Sequence, residues 1–219
     1  YDTYRRFVSG FARFVLGLPA EPFDGDLAIA LVGADPDSAD PDGDGELSAQ
    51  RLEAVVAAHL DHVRRLTGSA FPQDPFEQLR LAVEAVFRSW NSDRARTYRR
   101  REAIADDLGT AVTVQAMVFG NRDARSGSGV AFSRDPATGA NEPYGDVLVA
   151  AQGEDVVAGV RRPAPLASLA HWAPDAHDEL RAILRRLEVH HRDLVDVEFT
   201  VERGRLWILQ VRAGARAAA

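Results

Sequence analysis

The sequence predicts an α+β protein, a front half of helices followed by a sheet covered on one side. Two observations carry this. Up to about Leu108 apolar residues recur at helical spacing between breaks marked by Gly and Pro, whereas from Ala111 onward they alternate with period two, interrupted by one helical run from Asp178 to His191. The back half therefore reads strand, hairpin, helix, hairpin. At 219 residues the chain is long for one ordinary domain and short for two, so one elaborated domain or two small ones are both allowed.

Tyr4, Phe7, Val8, Phe11, Phe14, Val15 and Leu18 share one helical face, and Gly17 and Pro19 end that helix. Pro22 to Gly45 reads as loop, apart from a short apolar run from Leu27 to Val32. Ser48 caps a second helix to about Leu66, with Leu52, Val55, Val56, Leu60 and Val63 inward. Within the loop, Asp40 to Arg51 imitates an EF-hand, but position 12 is a cation, Arg51, where a bidentate Glu is required. Starting the frame at Asp42 brings Glu53 to position 12 but puts Leu47 where the turn needs glycine, so calcium is a minor alternative. His59 and His62 share a helix face and, with no carboxylate partner in reach, read as a surface pair rather than metal ligands. Phe76 to Trp90 forms a third helix, with Leu79, Val83, Val86 and Phe87 in phase, and Ser92 or Asp93 caps an arginine-rich fourth running to about Leu108.

Ala111 to Phe119, AVTVQAMVF, alternates as a strand, with Gln115 and Met117 on one face. The glycine-rich GNRDARSGSG that follows lacks both dinucleotide spacing and a following helix. Val130 to Ser133 and Tyr144 to Ala151 are strands joined through the turn DPATG, and Asp178 to His191 is the last helix.

Composition removes several chemistries. With no cysteine, neither disulfides nor thiolate metal sites are available, and all 26 basic side chains are arginine, so lysine-based phosphate binding or Schiff-base chemistry is excluded from this chain. The net charge of −7, with its acids dispersed, argues against nucleic acid as a partner. No apolar run approaches the ~20 residues of a membrane span, so no membrane partner is expected, and a cytoplasmic location is. A first residue that is Tyr1 points to a segment of a longer chain.

The closing stretch DLVDVEFTVERGRLWILQVR, Asp193 to Arg212, reads as two strands and a tight turn. Asp196, Glu198, Thr200 and Glu202 alternate with Val197, Phe199 and Val201. A three-residue loop of Glu202, Arg203 and Gly204 pairs Val201 with Arg205 and Asp196 with Gln210, whereas a two-residue loop puts Gln210 on the opposite face from Glu198. The odd loop gathers Asp196, Glu198, Gln210 and Arg212 on one surface. Two acids, an amide oxygen and an arginine suit Mg²⁺ and a phosphate chain; the alternative is a solvated amphipathic hairpin.

The blocks FPQDPFEQLRLAVEAVFRSWNSDRARTYRR, LGTAVTVQAMVFGN, SGSGVAFSRDPATG, YGDVLVAAQGEDVVAGVR and DVEFTVERGRLWILQVRAGAR, spanning Phe71 to Arg216, resemble the nucleotide-binding region of the pyruvate, phosphate dikinase family, an ATP-grasp fold. The first 70 residues carry the resemblance only weakly. Phosphoenolpyruvate synthase and related dikinases are the alternative. The resemblance implies a helical subdomain (1–72), part of an ATP-grasp N-terminal subdomain with its hinge strand (73–119) and the C-terminal subdomain (120–219). It makes Glu198 and Gln210 the Mg²⁺ ligands, Asp196 a supporting acid and Arg212 a contact to the phosphates of ATP. Gln115, Met117 and Val118 hold the adenine, with Glu154 near the ribose or base.

The implied activity is phosphoryl transfer in which ATP passes its β-phosphoryl to a histidine, inorganic phosphate takes the γ-phosphoryl, and the histidine phosphorylates pyruvate to phosphoenolpyruvate, in a homodimer whose phosphohistidine and pyruvate-binding domains are further partners. The family's glycine-rich loop and its lysine fall before the point matched by Tyr1, and its basic R-x-G-K-R run is RAGAR here. The isolated chain is therefore expected not to turn over. A non-catalytic nucleotide-binding or regulatory fragment is the second expectation.

Overall fold

The computed structural model describes residues 1–32, 47–158 and 161–214. Most of the EF-hand-like stretch, from Asp40 to Glu46, and Arg216 of the RAGAR run lie outside the described residues. The chain forms two compact units, Tyr1–Val114 and Gln115–Ala219.

The first unit is helical: α1 (Asp2–Phe14), α2 (Glu21–Val32), α3 (Ala49–Thr67), α4 (Pro75–Ser89) and α5 (Asp93–Arg101). Its core joins Val8, Phe11 and Ala12 of α1 to Phe23, Val63 and Phe71. The Phe71 ring sits edge-on to Phe11 at 5.2 Å and to Phe7 at 5.9 Å, the tilted geometry that aromatic quadrupoles favour. Ser48 caps α3 by accepting from the Arg51 amide, and Asp74 caps α4 from the Phe76 amide.

Four readings change in this unit. The expected loop after Pro22 is α2 as far as Val32, because Pro22 occupies the first turn, where its missing N–H has no intrahelical partner to lose, and Phe23 is anchored in the core at 1% exposure. His59 is not at the surface: it is solvent-free, Nε2 lies 3.1 Å from the Phe23 carbonyl, and the two rings meet edge-on. A carboxylate does reach His62, whose Nε2 lies 2.8 Å from Asp26. The arginine-rich helix ends at Arg101, seven residues before the expected Leu108. Arg99 draws the following segment back: only 3% exposed, it stacks 3.9 Å over the Trp90 ring and donates to Asp106 at 2.7 Å, while Trp90 Nε1 donates to the Asp106 carbonyl. α4 buries no residue completely, and Phe76, Leu79, Val86 and Phe87 stay exposed.

In the second unit β1 (Gly127–Phe132), β2 (Tyr144–Val149), β3 (Ala164–Pro165), β4 (Val195–Glu202) and β5 (Arg205–Ala213) form one antiparallel sheet in the order β3-β2-β1-β4-β5. One face packs on α7 (Leu169–Trp172) and α8 (Pro174–His191), with Val195, Val197, Phe199 and Val201 against Leu169, Leu180 and Leu184. The short α6 (Gly153–Ala158) follows β2. α8 starts four residues before the expected Asp178, with Pro174 in its first turn, and β1 starts at Gly127 rather than Val130.

The early start of β1 has a packing cause. Gly127 and Gly129 face the core, where a Cβ on Gly129 would come 2.6 Å from the Phe199 ring and one on Gly127 2.8 Å from Trp172. Two large rings thus occupy the space that side chains would take, and period two turns the intervening Ser128 to the other face. The expected strand at 111–119 is not formed among the described residues, and Val114 and Met117 are largely exposed. Alternation makes a segment compatible with a strand, but a strand exists only through a paired neighbour.

Gly129→Ala is expected to destabilise the second unit by about 1–3 kcal/mol through overpacking, read by urea unfolding. Burial holds the His59 imidazole below its usual 6.5, so below that pH the unfolded chain binds a proton that the folded chain refuses. Stability is therefore expected to fall as pH drops from 7 to 5, above the range in which the carboxylates titrate, and His59→Gln should flatten the slope, as checked by unfolding at both pH values.

Candidate functional site

The site is built on the β4–β5 hairpin, whose register differs from the expected one. The loop is the two-residue Arg203-Gly204, both at positive φ, +54° and +79°, so Glu202 pairs with Arg205 and Val201 with Leu206. Asp196 faces Arg212 rather than the expected Gln210. Such a loop alone would send Gln210 to the core side. A bulge after Glu198 prevents this: Phe199 pairs with Ile208 and Glu198 with Gln210, leaving Leu209 as the extra residue. The bulge restores the parity that the odd loop was expected to provide, and Asp196, Glu198, Gln210 and Arg212 do share one face. Arg212 bridges the acids, Nε donating to Asp196 at 3.1 Å and Nη2 to Glu198 at 2.9 Å.

The turn is fixed from outside the hairpin. The Gly204 amide donates to the Arg125 carbonyl at 2.8 Å, the Arg203 amide to Ser126 Oγ at 3.0 Å, and Arg122 pairs with Glu202. Ser126 Oγ in turn donates to Asp123, whose carboxyl is held below its usual range first by that hydroxyl. The loop that leaves the 115–119 segment is thereby tied to the same hairpin.

On the face away from the helical core lies a cavity of about 340 Å³, lined by Gln115, Ala116, Met117, Val118, Ser128, Gln152, Gly153, Glu154, Thr200 and Leu209. Four residues singled out from the sequence, Gln115, Met117, Val118 and Glu154, converge on it from two segments almost forty residues apart. Ser128, Thr200 and Leu209 were not singled out. Thr200 stands in the same alternating file as Glu198 and was within reach of the pattern; Ser128 needed the glycine packing and Leu209 the bulge. Thr200, Glu198 and Asp196 follow one another along one face of β4 at about 7 Å per step.

A larger recess of about 630 Å³ lies between the DPATG turn and the end of α8. The Arg134–Glu188 ion pair at 2.6 Å lines it, and none of the predicted site residues does. Of the two, the smaller cavity is the better candidate because it joins the oxygen-rich face at Thr200. Among the described residues no three imidazole, thiol or carboxylate groups could hold a metal. Glu198 and Gln210 still offer two oxygens as a cross-strand pair, a donor set that suits Mg²⁺ when phosphates and water complete the shell.

An α+β unit with a cavity beside a carboxylate–amide–arginine file has room and charge for a nucleotide. The chain belongs to the family described as pyruvate phosphate dikinase, AMP/ATP-binding domain, whose pattern matches residues 38–171. It is 43% identical over its full length to pyruvate, phosphate dikinase of Clostridium symbiosum, 44% over its full length to that of Rhizobium meliloti (strain 1021), and 44% over 99% of its length to the chloroplastic pyruvate, phosphate dikinase 1 of Arabidopsis thaliana. These alignments include the first 70 residues, where the sequence motifs were weak. The chain spans about a quarter of the length of each relative, 24%, 25% and 22%.

Deleting Leu209 closes the bulge and leaves Phe199 opposite Ile208 and Glu198 opposite Gln210, so Gln210 and Arg212 should keep their face, read as cross-strand NOEs from Glu198 to Gln210 and from Asp196 to Arg212 that persist in the deletion variant. Leu209→Ala keeps the residue count, so its melting curve should stay close to that of the unsubstituted chain.

Proposed function

We propose that this chain is the MgATP-holding part of a pyruvate, phosphate dikinase, an enzyme in which ATP gives its β-phosphoryl to a histidine and its γ-phosphoryl to inorganic phosphate, leaving AMP and pyrophosphate, and the phosphohistidine then converts pyruvate to phosphoenolpyruvate. The observation that carries the reading is the continuity of cavity and hairpin face: the cavity floor at Thr200 passes along β4 directly into Glu198 and Asp196. A nucleotide lying along that strand has its base over the cavity and its phosphates over the acids and Arg212.

In this reading Gln115, Met117 and Val118 hold the adenine, with Glu154 beside the base or ribose. Exposed backbone of the 115–118 segment, unpaired in any strand, is available to read the base edge. Glu198 and Gln210 hold Mg²⁺, which when bound neutralises charge on the phosphates. Arg212 already spans Asp196 and Glu198, so an arriving phosphate chain gives its guanidinium a further anionic partner on the same face. Asp196 orients that guanidinium. The phosphate-binding lysine that the family resemblance implies is absent from these 219 residues, so in this reading another part of the parent chain supplies it. The parent's phosphohistidine and pyruvate-binding domains are the partners of this module, the parent is a homodimer, and its location is cytoplasmic. Among the described residues no helix is long and apolar enough to cross a membrane.

The missing lysine also favours a second reading, a nucleotide-binding fragment without turnover of its own. Calorimetry with MgATP is expected to show weak binding that Glu198→Ala abolishes, whereas no binding by the unsubstituted chain would contradict both readings. The isolated 219 residues are expected to form no ATP from phosphoenolpyruvate, AMP and pyrophosphate; detectable formation would contradict the need for a further segment.

A further inference from the structure

The cavity floor holds a pair of buried hydroxyls with one proton that finds no acceptor among the described residues. Ser128 and Thr200 are cross-strand partners, 1% and 2% exposed, and both line the cavity. Ser128 Oγ and Thr200 Oγ1 lie 3.0 Å apart, and either can donate to the other. Two hydroxyls carry two protons, and their mutual bond uses one. Among the described residues the other has no acceptor. Buried donors are rarely left so.

The backbone holds the pair in place. A Cβ on Gly120 would come 2.3 Å from Ser128 Oγ, so the loop after the 115–119 segment closes directly over the hydroxyl. Around the pair the lining is apolar or neutral, Ala116, Met117, Val118, Leu209 and Gln152, with Glu154 as its one ionisable side chain. Such a lining repels phosphate and suits a flat heteroaromatic ring. The acceptors on a purine ring are its unsubstituted nitrogens, while the exocyclic amine of adenine is a donor and cannot take the free proton.

We propose that the Ser128–Thr200 hydroxyl pair is a positioning element that donates one hydrogen bond to a ring nitrogen of the purine held in this cavity. This rests on the reading that the cavity takes the adenine of ATP, and it adds the group that sets the base's orientation and favours a ring presenting an acceptor at that point.

The test is calorimetric titration of the full chain with MgATP and with its 1-deaza, 3-deaza and 7-deaza forms, each of which replaces one ring nitrogen by C–H. One of the three is expected to bind the unsubstituted chain about tenfold more weakly than MgATP, the loss of one hydrogen bond. The double variant Ser128→Ala/Thr200→Val should weaken MgATP by a similar factor and weaken that one deaza form no further, while Thr200→Ser, which keeps both hydroxyls, should bind as the unsubstituted chain does. Equal weakening of all four ligands by the double variant would make the pair merely structural and overturn the proposal. Three deaza forms that bind the unsubstituted chain as tightly as MgATP would overturn it without any variant. Failure of the unsubstituted chain to bind MgATP would instead remove the adenine reading and this inference with it.

Discussion

The parity of the β4–β5 hairpin is the constraint on which the rest of the site depends. A side chain's face in a strand is fixed by counting, and a single residue inserted or removed exchanges the two faces. Here the two-residue turn at Arg203-Gly204 sets one count and the bulge at Leu209 sets the other. Together they leave Val197, Phe199 and Val201 in the core while Asp196, Glu198, Gln210 and Arg212 share the opposite surface. The bulge also places Leu209 in the cavity wall. One irregularity therefore completes both the polar file and the apolar cavity beside it, which is the usual service of a bulge next to a binding site.

β1 carries the complementary constraint. Its Gly-Ser-Gly start leaves the core side to the rings of Trp172 and Phe199 and turns Ser128 to the cavity. The ties from Arg122, Arg125 and Ser126 to the hairpin turn then connect the cavity's upper wall to its floor through a few residues. Along one face of β4 the side chains run hydroxyl, carboxylate, carboxylate, from the cavity at Thr200 to Glu198 and Asp196.

Much of this was legible in the sequence, and the failures share a cause. Helices α1 and α3 announce themselves through apolar spacing and the Ser48 cap, which are local signals. α2 was hidden because Pro22 and Gly25 read as breakers until Phe23 is seen anchored in the core. The early end of α5 depends on Arg99 capturing Asp106 and Trp90, contacts that no periodicity encodes. Segment 111–119 shows strand alternation but has no strand partner, since pairing belongs to the neighbour and not to the sequence. The hairpin face was reached through the wrong loop, because alternation reveals which residues share a face while a bulge is visible only in register. Gln115, Met117, Val118 and Glu154, named from the family resemblance, line one cavity, whereas Ser128 and Leu209 enter its lining through glycine packing and the bulge, which no local pattern encodes.

The central claim, that the nucleotide lies along β4 with its base over Thr200 and its phosphates over Glu198 and Gln210, is tested most directly by amide NMR of the chain titrated with MnATP, whose paramagnetic ion broadens nearby signals. The account predicts the strongest broadening at Glu198 and Gln210, weaker broadening at Gln115 to Val118, and shift changes at Gln115 to Val118 when diamagnetic MgATP replaces MnATP. Broadening centred on Asp135 to Gly139 and Arg192, around the larger recess, would contradict it.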